Sequence, residues 1–134
     1  MALNTTPIFA KVPQVASVKL TAANTNYDGS GTLTTLYAAP ADHVKITWIK
    51  CKVQGASSAA NKVAIWITDT TGNNPYLFDE ILLAHQASPS ASVKTSETIT
   101  TYADLELKAG QIVKVTEFVA DNVGVFAQVG DLGS

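Results

Sequence analysis

The sequence lacks arginine altogether: all nine of its basic residues are lysine, in a chain of 134 residues with a net charge of −2. Charged residues make up only 15% of the chain, well below the roughly 25% of an average domain. Arginine makes the commonest specific contact with DNA bases and clamps phosphates through two parallel hydrogen bonds. Its absence predicts that the chain has no nucleic-acid partner. No apolar run approaches the ~20 residues that cross a bilayer, so we expect no membrane partner either.

Residues that carry enzymatic chemistry are also scarce. The chain has one cysteine, Cys51, and two histidines, His43 and His85, which lie far apart in the sequence. This set is too small for a zinc site, and no Gly-x-Ser-x-Gly turn marks a hydrolase nucleophile. We therefore expect no enzyme activity, no catalytic residue, no metal and no cofactor, and we expect Cys51 to be an inert core residue.

The acidic residues offer only weak alternatives to that interpretation. Asp79 and Glu80 are adjacent, so in a strand their side chains point to opposite faces and cannot work as a pair. Segment 28–31 (Asp-Gly-Ser-Gly) looks superficially like a phosphate loop, but a strand follows it where a helix N-terminus is needed. This segment and segment 69–74 are predicted to be turns. A weak structural calcium site at Asp28 or Asp69 is left open.

What the sequence does contain is a β-strand pattern, with 16 threonines and 13 valines in short alternating runs separated by Gly, Asn, Asp, Pro and Ser. Eight runs are predicted to be strands: Gln14–Thr21, Thr32–Ala38, His43–Gln54, Lys62–Asp69, Tyr76–His85, Val93–Tyr102, Ile112–Val119 and Val123–Val129. The predicted fold class is all-β, a single-domain two-sheet β-sandwich of jelly-roll type over residues 14–134. An immunoglobulin-like sandwich is the rival, although its Cys…Trp…Cys signature is absent.

Two of these strands carry more specific predictions. In the third strand, Val44, Ile46 and Trp48 share one face. From Ile49 onward the apolar residues fall on the other alternate positions, which predicts a β-bulge between Trp48 and Ile49. The run Tyr76–His85 could form a short helix, but its aromatic and aliphatic content favours a strand buried on both sides.

Two aromatic residues fall on the outer faces of predicted strands. Trp66 lies opposite the inward-facing Val63 and Ile65, and Phe126 lies opposite the valines of the last strand. An outward aromatic side chain can be covered by its own chain, anchor a subunit contact or stack on a sugar. We take Trp66 and Phe126 as candidate contact residues, with the other two interpretations left open.

The N-terminal residues 1–13 are predicted to form an extended arm, because they contain two prolines and show no strand alternation. They also lack the basic and apolar regions of a secretory signal, so we expect a protein made and used without export. The arm's apolar residues need a surface on which to be buried. They can fold back on their own sandwich or lie on a neighbouring subunit.

The chain as a whole resembles a class of small bacteriophage structural proteins found among phage head and tail gene products. The likeness is carried by three segments: the opening Asn4–Phe9, the turn-rich Thr21–Thr32 and the late turn and strand Leu107–Ile112. The closest functional picture is a capsid decoration, or cement, protein. The resemblance implies a non-enzymatic trimeric β-sandwich on the outer capsid surface of the virion, made in the host cytoplasm. Its implied partner is the major capsid protein, where neighbouring capsid subunits meet.

This picture assigns contacts to the capsid or to a neighbouring subunit. The residues are Leu3, Pro7, Ile8, Phe9, Val12, Trp66 and Phe126. The alternative function is a carbohydrate- or receptor-binding β-sandwich module of a phage tail, with Trp66, Tyr27 or Tyr76 as a stacking platform. A hydrolase is the third and weakest interpretation.

Overall fold

Eight antiparallel strands form the protein in a computed structural model that describes residues 12–40 and 43–133. The strands are β1 (Val12–Leu20), β2 (Thr34–Ala38), β3 (His43–Val53), β4 (Asn61–Ile67), β5 (Tyr76–Leu83), β6 (Glu97–Leu107), β7 (Ile112–Glu117) and β8 (Val123–Gly133). Each predicted strand corresponds to one of these. The largest shift is in β6, which begins and ends later in the chain than predicted. Residues 93–96, the start of the predicted run, lie before the observed strand.

The strands pair as β1 with β8, β2 with β7, β3 with β6 and β4 with β5. This is the pairing of one long hairpin that has been folded over on itself. Two four-stranded sheets result, a first sheet of order β1-β8-β3-β6 and a second sheet of order β2-β7-β4-β5. The prediction of an all-β sandwich of jelly-roll type is confirmed. The immunoglobulin alternative is wrong, because β1 and β2 lie in different sheets.

The core lies between the two sheets and is filled by alternate residues of the strands. Fully buried apolar residues include Val44, Ile46, Ile49, Cys51, Val63, Ile65, Val113, Val115, Val125 and Ala127. β-Branched side chains dominate this layer because they fit a pleated surface with little loss of rotamer freedom. Burial raises the pKa of the Cys51 thiol to about 12, so the reactive thiolate is disfavoured. The prediction that Cys51 is a core residue is confirmed, because its side chain is fully buried.

Three predicted details are wrong. The β-bulge of β3 lies between Ile46 and Trp48, not after Trp48, so Trp48 sits on the outer face and is only half-buried. β5 is an edge strand with Tyr76 68% exposed, not a strand buried on both sides. Val12 and Pro13 belong to β1 rather than to the arm. Proline is tolerated there because β1 is itself an edge strand.

Candidate interaction surface

Trp66 lies on the outer face of the second sheet, as its alternation predicts, but it is only 1% exposed. Its indole Nε1 donates a hydrogen bond of 3.0 Å to Thr116 Oγ1 on the neighbouring strand β7. A tryptophan buried to this extent with its N–H satisfied is a packing residue. Something on the chain itself must therefore cover this face.

The loop of residues 21–33 lies against the same side of the second sheet, and several contacts hold it there. At one end the Asn24 amide donates a 2.8 Å hydrogen bond to the Glu117 carbonyl. Further along, the Tyr27 ring lies 5.3 Å from the Phe118 ring. At the far end Gly29 is so close to Pro75 that an added Cβ would lie 2.9 Å from the proline Cγ. These contacts place the intervening loop over the outer residues of β4.

The loop is pinned to β4 by Lys62. Its ammonium contacts the Tyr27 hydroxyl, lies 2.9 Å from Glu80 Oε1 and sits 4.4 Å from the centre of the Phe118 ring. A cation over an aromatic face is attracted by the ring quadrupole. Trp66 is therefore a packing residue in the folded chain, with almost no surface left for a subunit or a sugar to contact. Its intramolecular cover, the alternative left open above, is what the structure has.

The turn carboxylates are occupied by their own turns. Asp28 Oδ1 accepts hydrogen bonds from the Ser30 amide at 3.0 Å and hydroxyl at 2.6 Å. Asp69 accepts from Thr71, Asn73 and Asn74. Both pKa values lie below the ordinary value because these donors favour the ionised form. Within residues 12–40 and 43–133, no group of three or more His, Cys, Asp or Glu side chains could hold a metal ion.

The other candidates for chemistry do not converge. Asp79 accepts a 2.7 Å hydrogen bond from the Tyr102 hydroxyl, whereas its neighbour Glu80 pairs with Lys62 on the outer face. The prediction that these two carboxylates cannot form a pair is confirmed. His43 Nδ1 lies 3.4 Å from Glu106 at the start of β3, while His85 is an exposed residue after β5.

Glu117 is the most unusual polar residue that the structure reveals. It is 0% exposed at the end of β7, where alternation with Val113 and Val115 turns it inward. Oε2 accepts a 3.1 Å hydrogen bond from Asn61 Nδ2, while Oε1 has no hydrogen-bond partner among the described residues. Burial is the largest cause that raises its pKa, to about 7, and the nearby Asp121 adds to it. The inward alternation was the sequence signal for this placement.

The outer face of the first sheet presents a different surface, which we call the open face. It consists of the outward residues of the four strands: Val15, Ser17, Lys19, Lys45, Trp48, Lys50, Lys52, Glu97, Ile99, Glu106, Gly124, Phe126 and Gln128. Val15 and Ile99 are each 54% exposed, and Trp48 and Phe126 are half-buried. An aliphatic residue near each edge thus flanks two central aromatic side chains.

Phe126 lies along the sheet rather than standing away from it. A Cβ added to Gly124 would lie 3.0 Å from Phe126 Cε2 and 2.8 Å from Gln54 Nε2, so the glycine leaves room for the ring. A shallow groove of about 330 Å³ runs beside it, lined by Ser17, Val18, Lys19, Gln54, Gly124 and Phe126. Phe126 remains a candidate contact residue.

Two lysines of the open face, Lys50 and Lys52, together with the neighbouring Lys94, lie around Glu97. Its carboxylate lies 3.2 Å from Lys50 Nζ, 3.4 Å from Lys52 Nζ and 3.1 Å from Lys94 Nζ. Hydrogen bonds from Lys94 and Lys50 are the main causes that lower the pKa of Glu97 to about 2. Glu97 therefore stays ionised and holds the lysine ammonium groups over the sheet.

The predicted arm contacts Leu3, Pro7, Ile8 and Phe9 lie outside the described residues. They stay predictions, as does Val12 at the first position of β1. In the part of the chain that the structure describes, no helix could span a membrane.

Neither a family model nor a curated protein sequence matches this chain. Among solved structures, a chain in the acid-stable capsid of Helicobacter pylori bacteriophage KHP30 is similar in fold, with a TM-score of 0.55 and 16% identity. That match covers 96% of this chain and 94% of the other. A chain in the capsid of Ralstonia phage GP4 gives a TM-score of 0.53 and 12% identity, covering 99% and 93%. Both neighbours come from phage capsids. The resemblance to phage structural proteins is confirmed at the level of the fold.

Proposed function

We propose that this chain is a non-enzymatic structural protein of a phage virion that decorates and stabilises the capsid through subunit contacts. The observation that carries the proposal is the fold shared with two phage capsid chains over 93% or more of their own length. The likeness therefore involves whole chains rather than one domain of a larger enzyme. This makes a role in the shell the simplest function for the domain.

The described side chains support a structural role. Several carboxylates that could carry chemistry instead hold the fold together. Asp69 accepts hydrogen bonds within its own turn, Asp79 accepts one from Tyr102, and Glu80 pairs with Lys62. A protein repeated many times on a shell needs a rigid fold and complementary surfaces rather than a reactive centre. The open face supplies such a surface.

We place the protein on the outer surface of the virion as a homotrimer bound to the major capsid protein. The arm of residues 1–11 leads into β1, an edge strand of the first sheet. An apolar arm at a sheet edge can lie on a neighbouring copy and add contact area without enlarging the domain. Ile8 and Phe9 are adjacent apolar residues in the sequence of this arm.

Cryo-microscopy of particles made with and without the gene for this chain tests the location. We expect density for a jelly-roll domain on the outer shell that disappears from the deletion particles. Density only inside the shell or in the tail, or none, refutes the decoration role. The arm is tested separately in the full-length protein with Ile8→Glu plus Phe9→Glu, which should convert a trimer to a monomer in solution-mass measurements. Val93→Glu, at an exposed site, serves as the control.

A tail module that binds a carbohydrate or receptor is the second candidate, and Tyr76 is the observation that favours it. Tyr76 is 68% exposed on edge strand β5, whereas Trp66 is buried and Tyr27 is engaged with Lys62 and Phe118. A flat, exposed tyrosine can stack on a sugar ring. Glycan-array binding that is lost in Tyr76→Ala and kept in Val93→Ala would favour this function over decoration.

A further inference from the structure

We propose that the open face of the first sheet is the surface that docks on the capsid, and that it binds an acidic protein surface with an apolar centre. This inference rests on the proposed function and names the partner's chemistry. The two outer faces of the sandwich are not equivalent. On the second sheet the tryptophan Trp66 is buried, and the exposed outward aliphatic residue Leu82 lies on edge strand β5 beside Lys62. The open face instead combines Val15 and Ile99, each more than half exposed, with two aromatic side chains at its centre.

Charge separates this face from the rest of the molecule. Four of the nine lysines in the chain, Lys19, Lys45, Lys50 and Lys52, point outward from it. Among the described residues, β6 brings three carboxylates to this side of the sheet: Glu97, Glu106 and the exposed Asp104 next to the inward Leu105. A local surplus of positive charge therefore stands on a chain whose net charge is −2. Such a surplus attracts a partner surface of carboxylates and sets its orientation.

The partner must also have an apolar centre. Trp48 and Phe126 occupy adjacent strands in the middle of the sheet, since β3 pairs with β8. They stand between the aliphatic Val15 at one edge and Ile99 at the other. Lysines alternate with these aromatic side chains, since Lys50 on β3 lies directly across from Phe126 on β8. A partner that packs on the aromatic side chains must therefore place carboxylates next to its apolar atoms. The bases of a single-stranded nucleic acid stack on aromatic rings that are freely accessible, whereas Trp48 and Phe126 are half-buried, so a protein partner fits the face better.

A second copy of the same face is a poor occupant. Two open faces packed together about a two-fold axis would bring their lysines against one another, and like charges across an interface are unfavourable. Glu97 cannot relieve this, because its carboxylate already lies within 3.4 Å of three lysine Nζ atoms. Each ammonium still has hydrogen atoms to donate, since it carries three. Carboxylates of a different protein can therefore join the lysines that Glu97 holds in place.

Rebinding of the full-length protein to particles that lack it tests the inference. Particles from the gene-deletion phage are mixed with purified protein, and bound protein is measured after sedimentation over a range of salt concentrations. The test variant is Lys50→Gln plus Lys52→Gln, and the matched control is Lys108→Gln plus Lys114→Gln, which removes two lysines outside the open face. Lys19→Glu is a second test variant in case the first does not fold, which circular dichroism would show.

We expect the test variants to bind at least about tenfold more weakly than wild type, and the control pair to bind within about twofold. Binding should also weaken as salt increases. If wild type rebinds and the test variants bind equally well, the open face is not the docking surface, although the decoration function survives. If rebinding disappears when particles are treated with nuclease, the partner is a nucleic acid and the inference is overturned. Failure of wild type to bind the particles at all refutes the proposed function itself.

Discussion

Replacing the buried Glu117 by glutamine should remove a large pH dependence from the stability of this protein. Glutamine keeps the size of the side chain and the oxygen that accepts the hydrogen bond from Asn61 Nδ2. Its amide group takes the place of Oε1, the carboxylate oxygen without a hydrogen-bond partner among the described residues. The substitution therefore removes the titratable proton while it leaves the packing nearly unchanged.

The direction of this pH dependence follows from the pKa of Glu117, which burial and the nearby Asp121 raise from the ordinary value of 4.5 to about 7. Between these two values the folded chain holds a proton that the unfolded chain has released. The contribution of Glu117 to the free energy of unfolding is therefore largest below pH 4.5, and it is lost as the pH rises to 7. A shift of this size corresponds to about 3 kcal/mol lost across that range.

Unfolding in urea at pH 5, 6, 7 and 8, followed by circular dichroism, measures the effect. At pH 8 Glu117→Gln should be more stable than wild type by up to about 3 kcal/mol, equivalent to roughly 10 °C in Tm. The two proteins should converge at pH 5. Asp104→Asn, at an exposed site, should keep the wild-type pH dependence. If Glu117→Gln loses stability between pH 5 and pH 8 as steeply as wild type, the assignment of that pH dependence to Glu117 is wrong.

Three further predictions concern the fold. Gly110→Ala should destabilise the protein by about 3 kcal/mol or more in urea unfolding, because the new Cβ would lie 1.9 Å from the Thr70 carbonyl oxygen at φ +90°. Gly55→Ala, at φ +129° but with no atom within 4 Å, should show the backbone strain without the clash and cost less. Lys62→Met should speed limited proteolysis within residues 21–33 severalfold when a protease other than trypsin is used, since the Lys62 ammonium contacts Tyr27 of that loop. An unchanged rate would refute the pinning role. Cys51 should react with a thiol reagent only after denaturation, because it is 0% exposed and its pKa is raised; rapid labelling of the native protein would contradict this.

The strand predictions succeeded where the alternation of apolar and polar residues within one short segment is enough to orient its side chains. Alternation placed Val63 and Ile65 inward and Phe126 outward, and the structure agrees. The bulge in β3 shows the limit of this signal. A change of apolar parity reveals that a residue has been inserted, but tryptophan suits either face, so only the register with β6 and β8 places the bulge before Trp48.

The candidate site was less predictable because burial depends on residues distant in sequence. Trp66 was correctly placed on an outer face, yet its exposure is decided by a loop that Tyr27 and Phe118 hold across the sheet. β5 has enough apolar residues for a central strand, but strand order leaves it at an edge. The local sequence around Trp66 does not reveal its burial, and the local sequence of β5 does not reveal its edge position.

The sequence by itself determined the all-β class, the two-sided strands and the shortage of catalytic chemistry, because composition and alternation act locally through backbone geometry. Only the tertiary structure decided how the strands pair, which outer face is covered and which lysines gather around Glu97. Those features come from contacts between strands far apart in the chain, whose free energy depends on the whole fold. The missing arginine narrowed the choice of partner, and the folded lysine face indicates where that partner should bind.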